Sequence, residues 1–217
     1  MNLLKRTERL FLLAIALLTL AVAADAQKRI AAEGVVTDNG GVDGTAVFFK
    51  DLYTENGTSS GILTGPKGYF EVSGLTKDEY AWLIVESPAP PGYEKIPSMA
   101  WRLEELPAFQ GIKLKVSKDP NFVYDLGNIR PTIVFRGVDI DISELFEEIA
   151  MRPLPEIGYE LTFLDHPMVF SDVVRESYID REKRAIRWAL PKGNWSLTLS
   201  YKNGESIRTA TYQLLAK

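Results

Sequence analysis

From Ile30 to the last residue the chain is a succession of short apolar stretches broken by Gly, Asp, Asn and Pro. That rhythm leaves room for strands and, with one exception, none for helices. It predicts strands at Ala32 to Thr37, Thr45 to Leu52, Gly61 to Leu63, Tyr69 to Val72, Tyr80 to Glu86, Gly111 to Val116 and Phe122 to Ile129. Asp38 to Gly41 and Gly65 to Gly68 supply residues that accept positive φ at the reversals. A boundary falls near Arg130 and Pro131. Beyond it PTIVFRGV, GYELTFL, AIRWAL, NWSLTLSY and SIRTATYQLL read as further strands, with turns at Lys192 to Asn194 and Lys202 to Gly204.

The exception is a short amphipathic helix at Ile142 to Ala150. Ile142, Leu145, Phe146 and Ile149 recur at helical spacing, Asp141 and Glu144 stand as a capping box, and Pro153 ends it. The expected fold class is therefore all-β in the main: two antiparallel β-sandwich units, the second carrying that helix.

The residues before Ile30 set the compartment. Lys5, Arg6 and Arg9 precede the apolar run Leu10 to Ala24, and Ala24, Asp25 and Ala26 form a small-residue exit. That order is a signal peptide, with cleavage after Ala26. The run is shorter than a membrane span and bounded by Arg9 and Asp25, so no span is expected after cleavage. The organisation reads as a signal peptide at 1–26, one β-sandwich at 28–130 and a second β-rich domain at 131–217, and the product is exported to the periplasm or beyond. Cysteine is absent, which excludes disulfides, thiolate metal sites and a lipid-bearing cysteine. The chain is formally −4, and its leader holds one more base than acid, leaving about −5. No basic cluster tracks a phosphate backbone, so nucleic acid is not an expected partner.

EGVVTDNGGVDGTAVFF, then GPKGYFEVSGL, EYAWLIVE and PPGY, closed by VYDLGNI, resemble in order the carboxypeptidase regulatory-like, or transthyretin-like, β-sandwich family. The resemblance covers about 100 residues and implies a sandwich without peptidase chemistry, because the family carries no zinc ligands. AIRWALPKGNWSLTLSYKNGE, Ala185 to Glu205, is similar to a segment of the same family, which implies an internal repeat. ESPAPPGY, Glu86 to Tyr93, resembles the E-x-x-A-P-x-G-Y segment of collagen-adhesin B-type repeats, where the glutamate promotes an isopeptide bond between a first-strand lysine and a last-strand Asn or Asp. Glu86 and Asn128 match as relics of that machinery. The first strand, GVVT, offers no lysine: Lys28 precedes it and Lys50 lies in the next.

His166 is the only histidine, and a hydrolase reading would have to pair it with Asp165. The acidic stretches around Asp43, Asp139 and Glu147 lack the spacing of an oxygen cage for calcium, so neither a metal nor a cofactor is expected. Strand parity sends Tyr80, Trp82, Ile84 and Glu86 to one face and Trp195, Leu197 and Leu199 to another, which makes most tryptophans core residues. Trp101 differs, standing beside Arg102 in the proline-rich stretch Ala89 to Phe109. With Tyr93 these two form the candidate ligand contacts. The expected function is a non-catalytic binding or structural module of the bacterial cell envelope, partnered by an envelope or surface protein. The alternatives are polysaccharide binding through 89–109 and, more remotely, a hydrolase using His166 and Asp165.

Overall fold

The computed structural model describes residues 27–37, 42–58, 60–96, 109–145, 156–166, 168–203 and 205–217. The leader at 1–26, the turn at 38–41, Trp101 and Arg102, and the expected helix from residue 146 onward lie outside the described residues. Among those described the protein is mainly β, and no helix is long and apolar enough to cross a membrane.

Among the described residues the strands form four sheets. The first joins β4 (Tyr69–Thr76), β1 (Lys28–Val36) and β8 (Tyr124–Ile129), and the second joins β3 (Ile62–Leu63), β2 (Ala46–Phe49), β5 (Tyr80–Glu86) and β7 (Ile112–Lys115). In the third, β13 (Ala185–Pro191) pairs with β12 (Ile179–Asp180), β6 (Glu94–Lys95) and β9 (Phe135–Asp141). The fourth runs β11 (Met168–Val173), β10 (Ile157–Phe163), β14 (Gly193–Asn203) and β15 (Ser206–Ala216).

Alternation along the strands makes two cores. Ile30, Ala32, Val36, Phe70 and Val72 of the first sheet meet Val47, Phe49, Leu83 and Val85 of the second. Trp188, Ile186 and Ile140 of the third sheet meet Tyr159, Phe163, Trp195 and Leu197 of the fourth. Strand β5 serves both: Ala81, Leu83 and Val85 enter the first core, and Ile84 enters the second. A strand buried on two faces needs a continuous apolar run, which is why its centre reads LIV rather than alternating.

The structure departs from the expected arrangement in three places. The units are not purely antiparallel, because β8 runs parallel to β1 and β6 runs parallel to β13. Neither pair is joined by a tight turn: each second strand arrives after a long excursion through other strands, which frees its direction. Lys192 to Asn194 does not close a hairpin but carries the chain from β13 in the third sheet to β14 in the fourth. A Cβ on Gly193 (φ +147°) would lie 2.4 Å from the Phe163 ring, so the corner requires glycine. Strand β11, which is not among the expected strands, pairs with β10 over six residues, with Met168 and Phe170 buried and Val169 exposed. The proline and histidine just before it masked that short alternation. At the start of the expected helix, Asp141 closes β9 and its Oδ1 accepts the Ser143 N–H at 2.8 Å, and the Leu145 N–H reaches the Ile142 carbonyl at 2.9 Å.

Candidate functional site

The stretch Glu86–Ile96 fastens the second sheet to the third. At its start the Ser87 N–H donates to the Ile133 carbonyl and the Phe135 N–H donates to Ser87 Oγ, both at 2.9 Å. Pro90 to Tyr93 then forms a turn, closed by the Tyr93 N–H on the Pro90 carbonyl at 3.0 Å. The turn lays the Tyr93 ring flat over Gly137 of β9, where a Cβ would lie 2.7 Å from the ring. Glycine inside a strand leaves a slot for an approaching group, and here the group is Tyr93.

Around that ring three side chains share charge and hydrogen bonds with it and with one another. Tyr93 Oη donates to Asp139 Oδ2 at 3.2 Å, and the Arg187 guanidinium sits 4.1 Å from the ring centre. Arg187 Nε donates to Asp139 Oδ1 at 3.1 Å, and its Nη1 reaches Asp180 Oδ2 at 3.4 Å. One residue on, Glu94 Oε2 accepts the Ser177 hydroxyl at 2.9 Å, and Glu94 and Lys95 pair alongside Trp188 and Ala189. The whole stretch is stitched down rather than free.

Beneath it lies an ion pair. Glu86 is buried at the end of β5, and its Oε2 accepts the Lys95 ammonium at 3.2 Å, which also stands 4.1 Å over the Phe135 ring. Burial pushes the Lys95 ammonium below the ordinary lysine value, outweighing the attraction of Glu86.

Trp101 and Arg102 lie outside the described residues, and the expected site residues that are described lie apart. Tyr93 belongs to the fastening just described. Asn128 is exposed on β8, opposite Val35 in the first sheet, whereas Glu86 ends a strand of the second. Trp188 and Trp195 are fully buried, as strand parity indicated for Trp195, and Trp82 is half-buried with the Lys113 ammonium 5.5 Å from its ring. Arg187, Asp139 and Asp180 had no motif to announce them. Gly137, a glycine within an alternating strand, was the one local sign.

His166 and Asp165 border a cleft of about 580 Å³ lined also by Phe109, Phe163, Asn194 and Leu215. Asp165 Oδ2 accepts the Asn194 backbone N–H at 2.9 Å and Oδ1 accepts its side-chain amide at 3.0 Å. The Asn194 side-chain bond, then the backbone bond, holds the Asp165 carboxyl below its ordinary value. The His166 ring packs near Phe163, with 5.9 Å between centres. Asp165 therefore serves Asn194, and no hydrogen bond joins it to His166 among the described residues. None of the described residues assemble three or more ligands suited to a metal ion.

No family model matches the chain, and no curated protein matches it. Among solved structures, the Bacillus anthracis TIE protein is 15% identical with a TM-score of 0.25, covering 88% of this chain and 31% of that one. BcpA, the major pilin subunit of Bacillus cereus, is 9% identical with a TM-score of 0.25, over 88% of this chain and 69% of that one. The shaft pilin spaA of Lactobacillus rhamnosus GG is 12% identical with a TM-score of 0.21, over 88% and 94%. The chain thus spans about a third of the TIE protein. At these TM-scores the likeness is one of β-rich character alone.

Proposed function

We propose that the chain is a non-catalytic, exported structural or binding module of the bacterial cell envelope that acts through protein contacts. In this reading 28–130 and 131–217 are two β-sandwich units locked into one rigid piece. The observation that carries it is the fastening of Tyr93, within 28–130, to Asp139 and Arg187, within 131–217; the buried Glu86–Lys95 pair adds a tie between the second and third sheets. Conserving angle and distance between two units is what a spacer or scaffold needs. The commitment of both Asp165 oxygens to Asn194 weighs against the hydrolase reading, which needs that carboxylate on His166.

The test is chemical cross-linking of the tagged chain in intact cells of its source, with the exported fraction analysed by mass spectrometry. The expected result is a processed chain beginning at Gln27, cross-linked to an envelope protein. Retention of an unprocessed chain in the cytoplasm would overturn the proposal.

Polysaccharide binding through 89–109 remains the second reading. It draws on the burial of Ile96 and Phe109 in the second core, which anchors both ends of the segment holding Trp101 and Arg102. Calorimetry with envelope polysaccharides, repeated with Trp101→Ala, tests it: heat that vanishes in the variant supports this reading, and silence with every polysaccharide removes it.

A further inference from the structure

Strand β15 ends the fourth sheet and runs eleven residues, paired to β14 without a register shift from Gly193↔Ala216 to Asn203↔Ser206. A strand at a sheet edge offers unpaired N–H and C=O groups to any other strand, and proteins blunt such edges with charge, brevity or bulges. Three of the other edges are blunted, and the remaining outer strands are all shorter than β15. Strand β3 has two residues, β7 exposes Lys113 and Lys115, and β8 meets β1 through a register shift with Gly127 at φ +58°. Strand β15 has no proline, lysine or bulge between Ser206 and Ala216.

Its outward side chains are arranged about a centre. Ile207 is 77% exposed and Leu215 54% exposed, each four residues from Thr211, with Thr209 and Gln213 between. Turned by a two-fold axis through Thr211, the strand matches itself. Ile207 of each copy faces Leu215 of the other, Thr209 faces Gln213, and Thr211 faces Thr211. Arg208 falls opposite Leu214, so no like charges meet. Every facing pair shares parity, which antiparallel hydrogen bonding demands.

We propose that β15 is a homodimer seam, in which two copies pair antiparallel about Thr211 and join two four-stranded sheets into one continuous sheet. The self-matching of Ile207 and Leu215 selects a second copy over an unrelated strand, because a foreign strand would need neither the symmetry nor both apolar ends. The inference does not depend on export or on the envelope assignment.

A cysteine-free chain makes the test direct. Thr211→Cys sets two thiols opposite each other, at a Cα separation of about 4.5–5.5 Å that a disulfide spans. Ile207→Cys sets them about 27 Å apart, eight strand residues at about 3.3 Å each. Light scattering on the chain purified after its own processing is expected to give twice the monomer mass. Mild oxidation should lock Thr211→Cys as a covalent dimer and leave Ile207→Cys uncrosslinked, while an equal mixture of Ile207→Cys and Leu215→Cys crosslinks. Thr211→Lys, which puts like charges on the axis, should return the mass to that of a monomer with an unchanged circular dichroism spectrum. A wild-type monomer at every concentration overturns the seam, and so does equal crosslinking at 207 and 211.

Discussion

The Arg187 guanidinium lies 4.1 Å from the centre of the Tyr93 ring while its Nε holds Asp139 Oδ1 at 3.1 Å, and the same carboxylate accepts the Tyr93 hydroxyl through Oδ2 at 3.2 Å. Asp139, Arg187 and the turn tyrosine therefore close a ring of contacts on the third sheet, pinning the turn that leads there from the second. Such a ring gains from being complete, since each member orients the next.

Gly137→Ala tests the fastening from below. Its Cβ would lie 2.7 Å from the Tyr93 ring, and the ring must leave or the strand must shift. The expected loss of stability is about 1–3 kcal/mol, as for other overpacked sites. Urea unfolding followed by tryptophan fluorescence reads it. In Gly137→Ala/Tyr93→Ala the clash disappears, so the glycine substitution should then cost much less.

The Glu86–Lys95 pair predicts asymmetric losses. Lys95→Met leaves Glu86 buried without its cation, and with Lys95 27% exposed the cost should be about 2–3 kcal/mol, below the roughly 3–5 of fully buried pairs. Glu86→Gln/Lys95→Met should recover most of that loss. Equal destabilisation by the single and double substitutions in urea melts would show that the attraction between the two charges matters little.

The same lysine predicts a pH effect. Its folded pKa lies below the ordinary value of 10.5 because burial disfavours the ammonium more than Glu86 favours it. Between the lowered value and 10.5 the unfolded chain holds more protons than the folded one, so this group adds stability as pH rises through that window. Wild type should gain on Lys95→Met as pH climbs there. A flat difference between the two stability curves would refute the assignment.

Asp165 titrates the other way. Held below 3.8 by Asn194, it contributes stability above that pH and loses it as pH falls through the depressed folded value. In Asn194→Ala the side-chain bond is gone, and the Asp165 carboxyl carbon, followed by NMR, should titrate closer to 3.8. No movement would mean that the backbone N–H alone sets the shift.

At the corner between β13 and β14, Gly193→Ala meets the Phe163 ring at 2.4 Å and Asp165 Oδ2 at 2.8 Å, on a backbone with φ +147°. Strain and overpacking together should destabilise the chain by about 2–4 kcal/mol, read as a lowered urea midpoint. Gly44→Ala, also at positive φ but with nothing within 4 Å, should cost less.

By itself the sequence determined where most of the longer strands lie and which way their side chains alternate, because period-two patterning is local and survives without knowledge of neighbours. Tyr80–Glu86 emerged as a strand at the expected bounds, and Trp195, Leu197 and Leu199 turned inward together. Two-residue strands such as Glu94–Lys95 carry too little pattern to read. Only the tertiary structure decided the partners: β8 beside β1 in parallel, the Gly193 corner between sheets, Lys95 rather than Asn128 as the neighbour of Glu86, and Arg187 over Tyr93. Those pairings join residues as far as 94 positions apart, and they depend on how sheets stack, a property no local window of sequence contains.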